Sequence, residues 1–67
     1  MTTFAERLKQ LRIDKCLNQT QLAKDLSVDQ RSISNWENAV REPSFDMLKK
    51  IANYFEVSTD YLLGITD

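Results

Sequence analysis

The sequence predicts an all-α fold, a compact bundle of five short helices. Three observations predict it. Apolar residues recur at three- and four-residue spacings, as one face of a helix requires. A residue able to cap a helix N-terminus precedes each apolar stripe. A single Gly and a single Pro in 67 residues leave too few turn formers for an all-β chain.

Phe4, Leu8 and Leu11 mark helix 1, expected from about Phe4 to Lys15. Thr3 and Glu6 stand at capping-box spacing before it. Asn18 caps the second helix, with Gln21 three residues on and Leu22, Ala23 and Leu26 facing inward. Ser27 and Val28 interrupt, and Asp29 opens a third helix, its carboxylate expected to accept from free backbone N–H groups. Helix 2, about 19–26, and helix 3, about 30–38, are short and joined by a tight turn, which is the helix-turn-helix arrangement. Pro43 ends the loop "VREPS", and Ser44 caps a fourth helix with Leu48, Ile51, Ala52 and Phe55 inside. Ser58 caps a last helix through Tyr61, Leu62 and Leu63, and Gly64 suits the left-handed residue after it.

Composition bounds the function. The chain is one domain at most, residues 1–67, and a chain this short buries only roughly 60% of its surface. It has no His and one Cys, which excludes an intramolecular disulfide and the usual zinc sites. No metal and no cofactor is expected. No apolar run approaches the roughly 18 residues of a membrane span, and "MTTFAERLKQ" has no signal-peptide core. A cytoplasmic protein without membrane contact is expected. With neither His nor a Gly-rich phosphate loop, the sequence offers nothing for an enzyme.

On helix 3, Ile33, Trp36 and Glu37 fall on one side, and Arg31, Ser34, Asn35 and Asn38 on the other. Gln30 and Ser32 flank them at the N-terminal end. Gln and Asn can pair with adenine N6 and N7, and Arg with guanine O6 and N7. A helix entering the major groove by its N-terminus presents its first residues most deeply. Gln30, Arg31, Ser32 and Asn35 are therefore the candidate base-reading residues. Any surface helix shows a polar face, so the reading gains its weight from the whole two-helix unit.

The stretches "LNQTQLAKDLSVDQRSISNWEN" and "REPSFDMLKKIANYFEVSTDYLLG" resemble the helix-turn-helix domain of phage repressors, Cro proteins and XRE-type bacterial regulators. The likeness runs from about residue 4 to residue 64. It implies a lambda-repressor-like DNA-binding domain. Its implied function is a sequence-specific transcriptional regulator, a repressor bound as a homodimer to a palindromic operator in double-stranded DNA. By position it also implies phosphate contacts at Asn18, Gln19, Asn38 and Arg41, with Gln19 bracing the first recognition residue. It implies an ion pair between Arg12 and Glu37. A carboxylate on the inner side of helix 3 needs a partner in any case; the alternative is a solvated Glu37 at the helix edge.

Two features depart from the family. Cys16, Ser27 and Ala39 occupy places where Gly is common, so these turns are either built differently or strained. The charge is also low, nine bases against ten acids. Residues 1–41 hold seven bases (Arg7, Lys9, Arg12, Lys15, Lys24, Arg31, Arg41) against five acids (Glu6, Asp14, Asp25, Asp29, Glu37). Residues 42–67 hold two bases (Lys49, Lys50) against five acids (Glu42, Asp46, Glu56, Asp60, Asp67). Since phosphate contacts dominate affinity, the expected grip is moderate for one copy. A second functional class is a protein-interaction module on the same fold, an antitoxin or antirepressor with a second protein partner. Tyr54, Tyr61, Leu62, Leu63 and Ile65 either cap the bundle or form a dimer surface.

Overall fold

The computed structural model describes residues 3–66, so Asp67 of the late acidic group lies outside it. Five helices follow one another: α1 Phe4–Asp14, α2 Gln19–Leu26, α3 Gln30–Glu37, α4 Phe45–Phe55 and α5 Thr59–Leu63. Among the described residues there is no strand. Among the described residues, no helix is long and apolar enough to cross a membrane. The helices enclose one core of Leu8, Leu22, Ala23, Leu26, Ile33, Trp36, Ile51, Ala52, Phe55 and Leu62. Helix α1 sits centrally, against both α3 and α5, while α2 packs on α3 and α4 on α5.

The helix starts are set by side chains. Thr3 and Asn18 form full capping boxes with Glu6 and Gln21. The Ser44 and Ser58 hydroxyls accept from the backbone N–H of Met47 and Tyr61. Each such cap stabilises its helix by about 1 kcal/mol. Asp29 departs from this pattern: its carboxylate makes no cap hydrogen bond. At an exposed N-terminus a carboxylate gains from the helix dipole without direct contact and keeps its hydration.

The helix ends share one device. After each helix a residue with positive φ is followed by an apolar residue whose N–H reaches back five positions. Leu17 donates to the Arg12 carbonyl, Val28 to Ala23, Val40 to Asn35, Val57 to Ala52 and Ile65 to Asp60, all between 2.9 and 3.1 Å. The positive-φ residues are Cys16, Ser27, Ala39, Glu56 and Gly64, at φ of 59°, 60°, 58°, 56° and 78°. The turns at Cys16, Ser27 and Ala39 are thus built as a glycine would build them. Glu56 is a fourth such site, beyond the three expected from the sequence. Four of the five carry a Cβ where it is disfavoured.

Arg7 is also unlike its expected role. Instead of lending positive charge to the surface, it is buried, 8% exposed. Its guanidinium lies 4.0 Å from the centre of the Tyr61 ring and donates to the Tyr61 carbonyl at 3.0 Å. A cation at the C-terminal end of a short helix adds a second donor to a carbonyl that already accepts from the Gly64 N–H, and it opposes the dipole, so its burial is compensated. The C-terminal apolar residues differ in burial. Leu62 is fully buried, Tyr54 and Tyr61 are half-buried, and Leu63 and Ile65 are exposed.

Tyr54 ties α4 to α2 by donating its hydroxyl to Asp25 at 2.6 Å. That hydrogen bond, with smaller contributions from desolvation and from the Asp25 charge, raises the phenol above its ordinary value of 10.0. The neutral phenol is the form favoured by folding. Its contribution is therefore complete below pH 10 and disappears as pH rises through the folded-state value. Absorbance titration near 295 nm should show one tyrosine ionising late, and Asp25→Asn should bring it back towards the ordinary value. Titration at the same pH in both proteins would refute the link.

Candidate nucleic-acid interface

The outward side of α3 is positioned by what its inner side buries. Ile33 is fully buried and Trp36 nearly so, both in the common core. The helical repeat then turns Gln30, Arg31 and Asn38 outward, where they are exposed. Ser32, Ser34 and Asn35 are half-buried along the flanks of this strip. Asn38 donates from its side-chain amide to the Ser34 hydroxyl at 3.3 Å. The Asn35 carbonyl accepts from both Val40 and Arg41 as the chain leaves the helix. Arg41 is exposed just beyond the turn.

Beneath the strip lies the ion pair. Arg12 Nε donates to Glu37 Oε2 at 2.7 Å and Arg12 Nη2 to Glu37 Oε1 at 3.0 Å. The remaining Arg12 nitrogen, Nη1, donates to the Leu17 carbonyl at 2.8 Å. The Glu37 side chain is 3% exposed, which disposes of a solvated carboxylate at the helix edge. The hydrogen bond to Glu37 raises the Arg12 pKa above its usual value, against an opposing effect of desolvation, so the guanidinium stays charged. The pair joins α1 to α3 through two parallel bonds, the geometry in which Arg and carboxylate interact most strongly.

Gln19 completes the arrangement: its bond to Gln30 is the bracing contact the resemblance implies, while its bond to Glu37 has no sign in the sequence. Its amide Nε2 donates to Glu37 Oε1 at 3.1 Å, and its Oε1 accepts from Gln30 Nε2 at 2.5 Å. The first residue of α3 is thus tied through the first residue of α2 to the buried carboxylate. Asn18 spends its side-chain oxygen and its backbone N–H on the Gln21 capping box. Its amide N–H groups are outside that box. Among the described residues, no group of His, Cys, Asp and Glu could hold a metal ion, and no buried side-chain nitrogen or oxygen lacks a partner.

Two consecutive short helices, a buried cross-brace and an outward polar strip on the second helix define a helix-turn-helix unit. The helix-turn-helix family model matches residues 8–62, and the chain belongs to that family, in its XRE type. The chain is 45% identical over 61 residues to the HTH-type transcriptional activator BcrR of Enterococcus faecalis, covering 91% of this chain and 30% of that protein. It is 39% identical over 62 residues to the HTH-type transcriptional regulator ImmR of Bacillus subtilis, covering 92% and 49%. The chain therefore spans half or less of the length of these relatives. Among solved structures, the P22 c2 repressor protein in complex with a synthetic operator matches with a TM-score of 0.88 at 30% identity, over 94% of this chain and 96% of that one. The regulator SinR in complex with DNA matches with a TM-score of 0.80 at 28% identity, over 90% and 97%. The relatives are transcriptional regulators, in line with the expectation of a protein that is not an enzyme.

Proposed function

We propose that this chain is the DNA-binding domain of a sequence-specific transcriptional regulator. It reads a palindromic operator through the major groove, as a homodimer in the cytoplasm, and acts as a repressor. The observation that carries the reading is the outward polar strip of α3, with Gln30 held through Gln19 to the Arg12–Glu37 pair. Gln30, Arg31, Ser32 and Asn35 carry base readout in this proposal. Asn18, Gln19, Asn38 and Arg41 meet phosphates. The synthetic operator bound by the P22 c2 repressor supports the DNA ligand, and that structure matches nearly the whole chain. A homodimer would cover part of the apolar surface left at Val40, Phe45, Leu63 and Ile65.

Burial of Arg7 takes one positive charge away from the non-specific grip. Two weak half-site contacts then have to act together, and affinity falls steeply with salt. The exposed apolar residues also favour a second reading, a protein-interaction module with a different protein as partner.

Selection of bound duplexes from a random pool at low salt separates the two. Wild type should enrich a palindrome. Arg31→Ala should lose preference for one G·C pair per half-site and weaken binding by about 1–3 kcal/mol at each. A folded wild-type protein that enriches nothing would transfer the assignment to protein binding.

A further inference from the structure

The bonds under α3 have a direction. A carboxylate can only accept, so Gln19 must turn its NH2 end to Glu37 and its oxygen to Gln30. Gln30 must then donate one N–H to Gln19. What remains on Gln30 to face outward is its second N–H and its carbonyl oxygen, one donor and one acceptor. That set matches the N7 acceptor and N6 donor of adenine. Were the chain of bonds reversed, Gln30 would accept from Gln19 and turn both N–H donors outward. Two donors match guanine, whose O6 and N7 both accept.

We propose that Glu37 is a positioning residue that fixes the polarity of the Gln30 amide through Gln19, so that a buried carboxylate selects adenine over guanine at the base facing Gln30. The inference rests on the reading of α3 as a major-groove helix. Glu37 touches no base; it acts two hydrogen bonds away. Its isosteric amide shows how. Glu37 Oε1 accepts from both Arg12 Nη2 and Gln19 Nε2, and Oε2 accepts from Arg12 Nε, so either orientation of the amide in Glu37→Gln sets its NH2 against one Arg12 donor and neither is enforced. Where the NH2 faces Gln19, Gln19 turns over to accept from it and donates to Gln30, and Gln30 presents two donors.

The test uses the palindrome selected by wild type. Loss of preference in Gln30→Ala identifies the base pair facing that residue, and the pair is then placed in either orientation as A·T or G·C. Wild type should prefer adenine by about tenfold, as one bidentate pair gives. Glu37→Gln should weaken the preference, because its amide admits both polarities. Gln19→Met, which cuts the link and leaves the ion pair in place, should abolish the preference without reversing it. It also keeps the test valid if Glu37→Gln fails to fold.

A second readout needs no DNA. The Gln30 side-chain amide in a nitrogen-15 spectrum should show one hydrogen-bonded proton in wild type and none in Gln19→Met. Adenine preference unchanged in Gln19→Met, or in a folded Glu37→Gln, overturns the inference alone. Failure of wild type to enrich any duplex overturns both the inference and the reading beneath it.

Discussion

Replacing Glu37 with alanine lowers the free energy of unfolding by about 3–5 kcal/mol, because Arg12 keeps its charge in a site that no longer answers it. A domain of this size has of the order of 3–10 kcal/mol in total, so the variant stands near the edge of folding. The loss has three parts on the molecule. Arg12 loses two of its three acceptors and retains only the Leu17 carbonyl. Gln19 loses the acceptor that orients it. The α1–α3 contact loses its only cross-brace among the described salt bridges. Urea unfolding followed by circular dichroism measures this directly.

A paired replacement distinguishes a missing charge from a missing contact. Arg12→Met with Glu37→Leu removes both ions and fills the volume, and such exchanges are often neutral. The double variant should be more stable than Glu37→Ala yet short of wild type, since the Leu17 carbonyl and the Gln19 amide still lose their partners. Equal stability of Glu37→Ala and wild type would refute the account.

The opposite effect is expected at the helix ends. Glycine at Cys16, Ser27, Ala39 and Glu56 removes a Cβ from four left-handed positions. Relief of about 1–2 kcal/mol per site is partly offset by the greater freedom glycine gives the unfolded chain, about 0.4–1 kcal/mol. The net gain is about 0.5–1 kcal/mol each, and about 2–4 kcal/mol for the four together if the sites act independently. In a domain this small each kcal/mol moves Tm by about 4–8 °C. The quadruple variant should therefore melt well above wild type in a calorimeter. A Tm at or below that of wild type would show that the turns hold no strain. Cys16→Gly is the cleanest single case, because Cys16 is exposed and its side chain can be removed without opening the core.

Local chemistry was legible in the sequence, and pairings across the fold were less so. Thr3, Asn18, Ser44 and Ser58 mark helix starts because a cap involves residues two or three apart, which any reader of the chain can see. The apolar stripes likewise reveal the core, since Leu22 and Leu26, Ile33 and Trp36, and Ile51 and Phe55 are each three or four residues apart on their helices. Glu56 was missed as a left-handed residue because glutamate gives no compositional sign of one. The usable signal was the apolar Val57 after it, repeating Cys16–Leu17, Ser27–Val28 and Ala39–Val40. Arg7 looked like surface charge; only the arrival of α5, 54 residues on, supplies the ring and the carbonyl that bury it. Asp29 shows the converse, a residue of the right type whose cap is not made. At the site, the outward strip followed from periodicity. The Gln19–Glu37 bond did not, because it needs the distance between two helices.

On the proposed reading, that bond divides the outward strip of α3 into two kinds of position. Gln30 shares its hydrogen bonding with the interior, so a change there disturbs Gln19 and the ion pair as well as the outer face. Arg31 projects from the same helix as an exposed residue. On that reading, new DNA preferences would be acquired at Arg31 by single substitutions with little cost in stability, whereas at Gln30 they would require compensating changes at Gln19 or Glu37. A lineage or a designer altering this domain has one dial that turns freely and another geared to the frame.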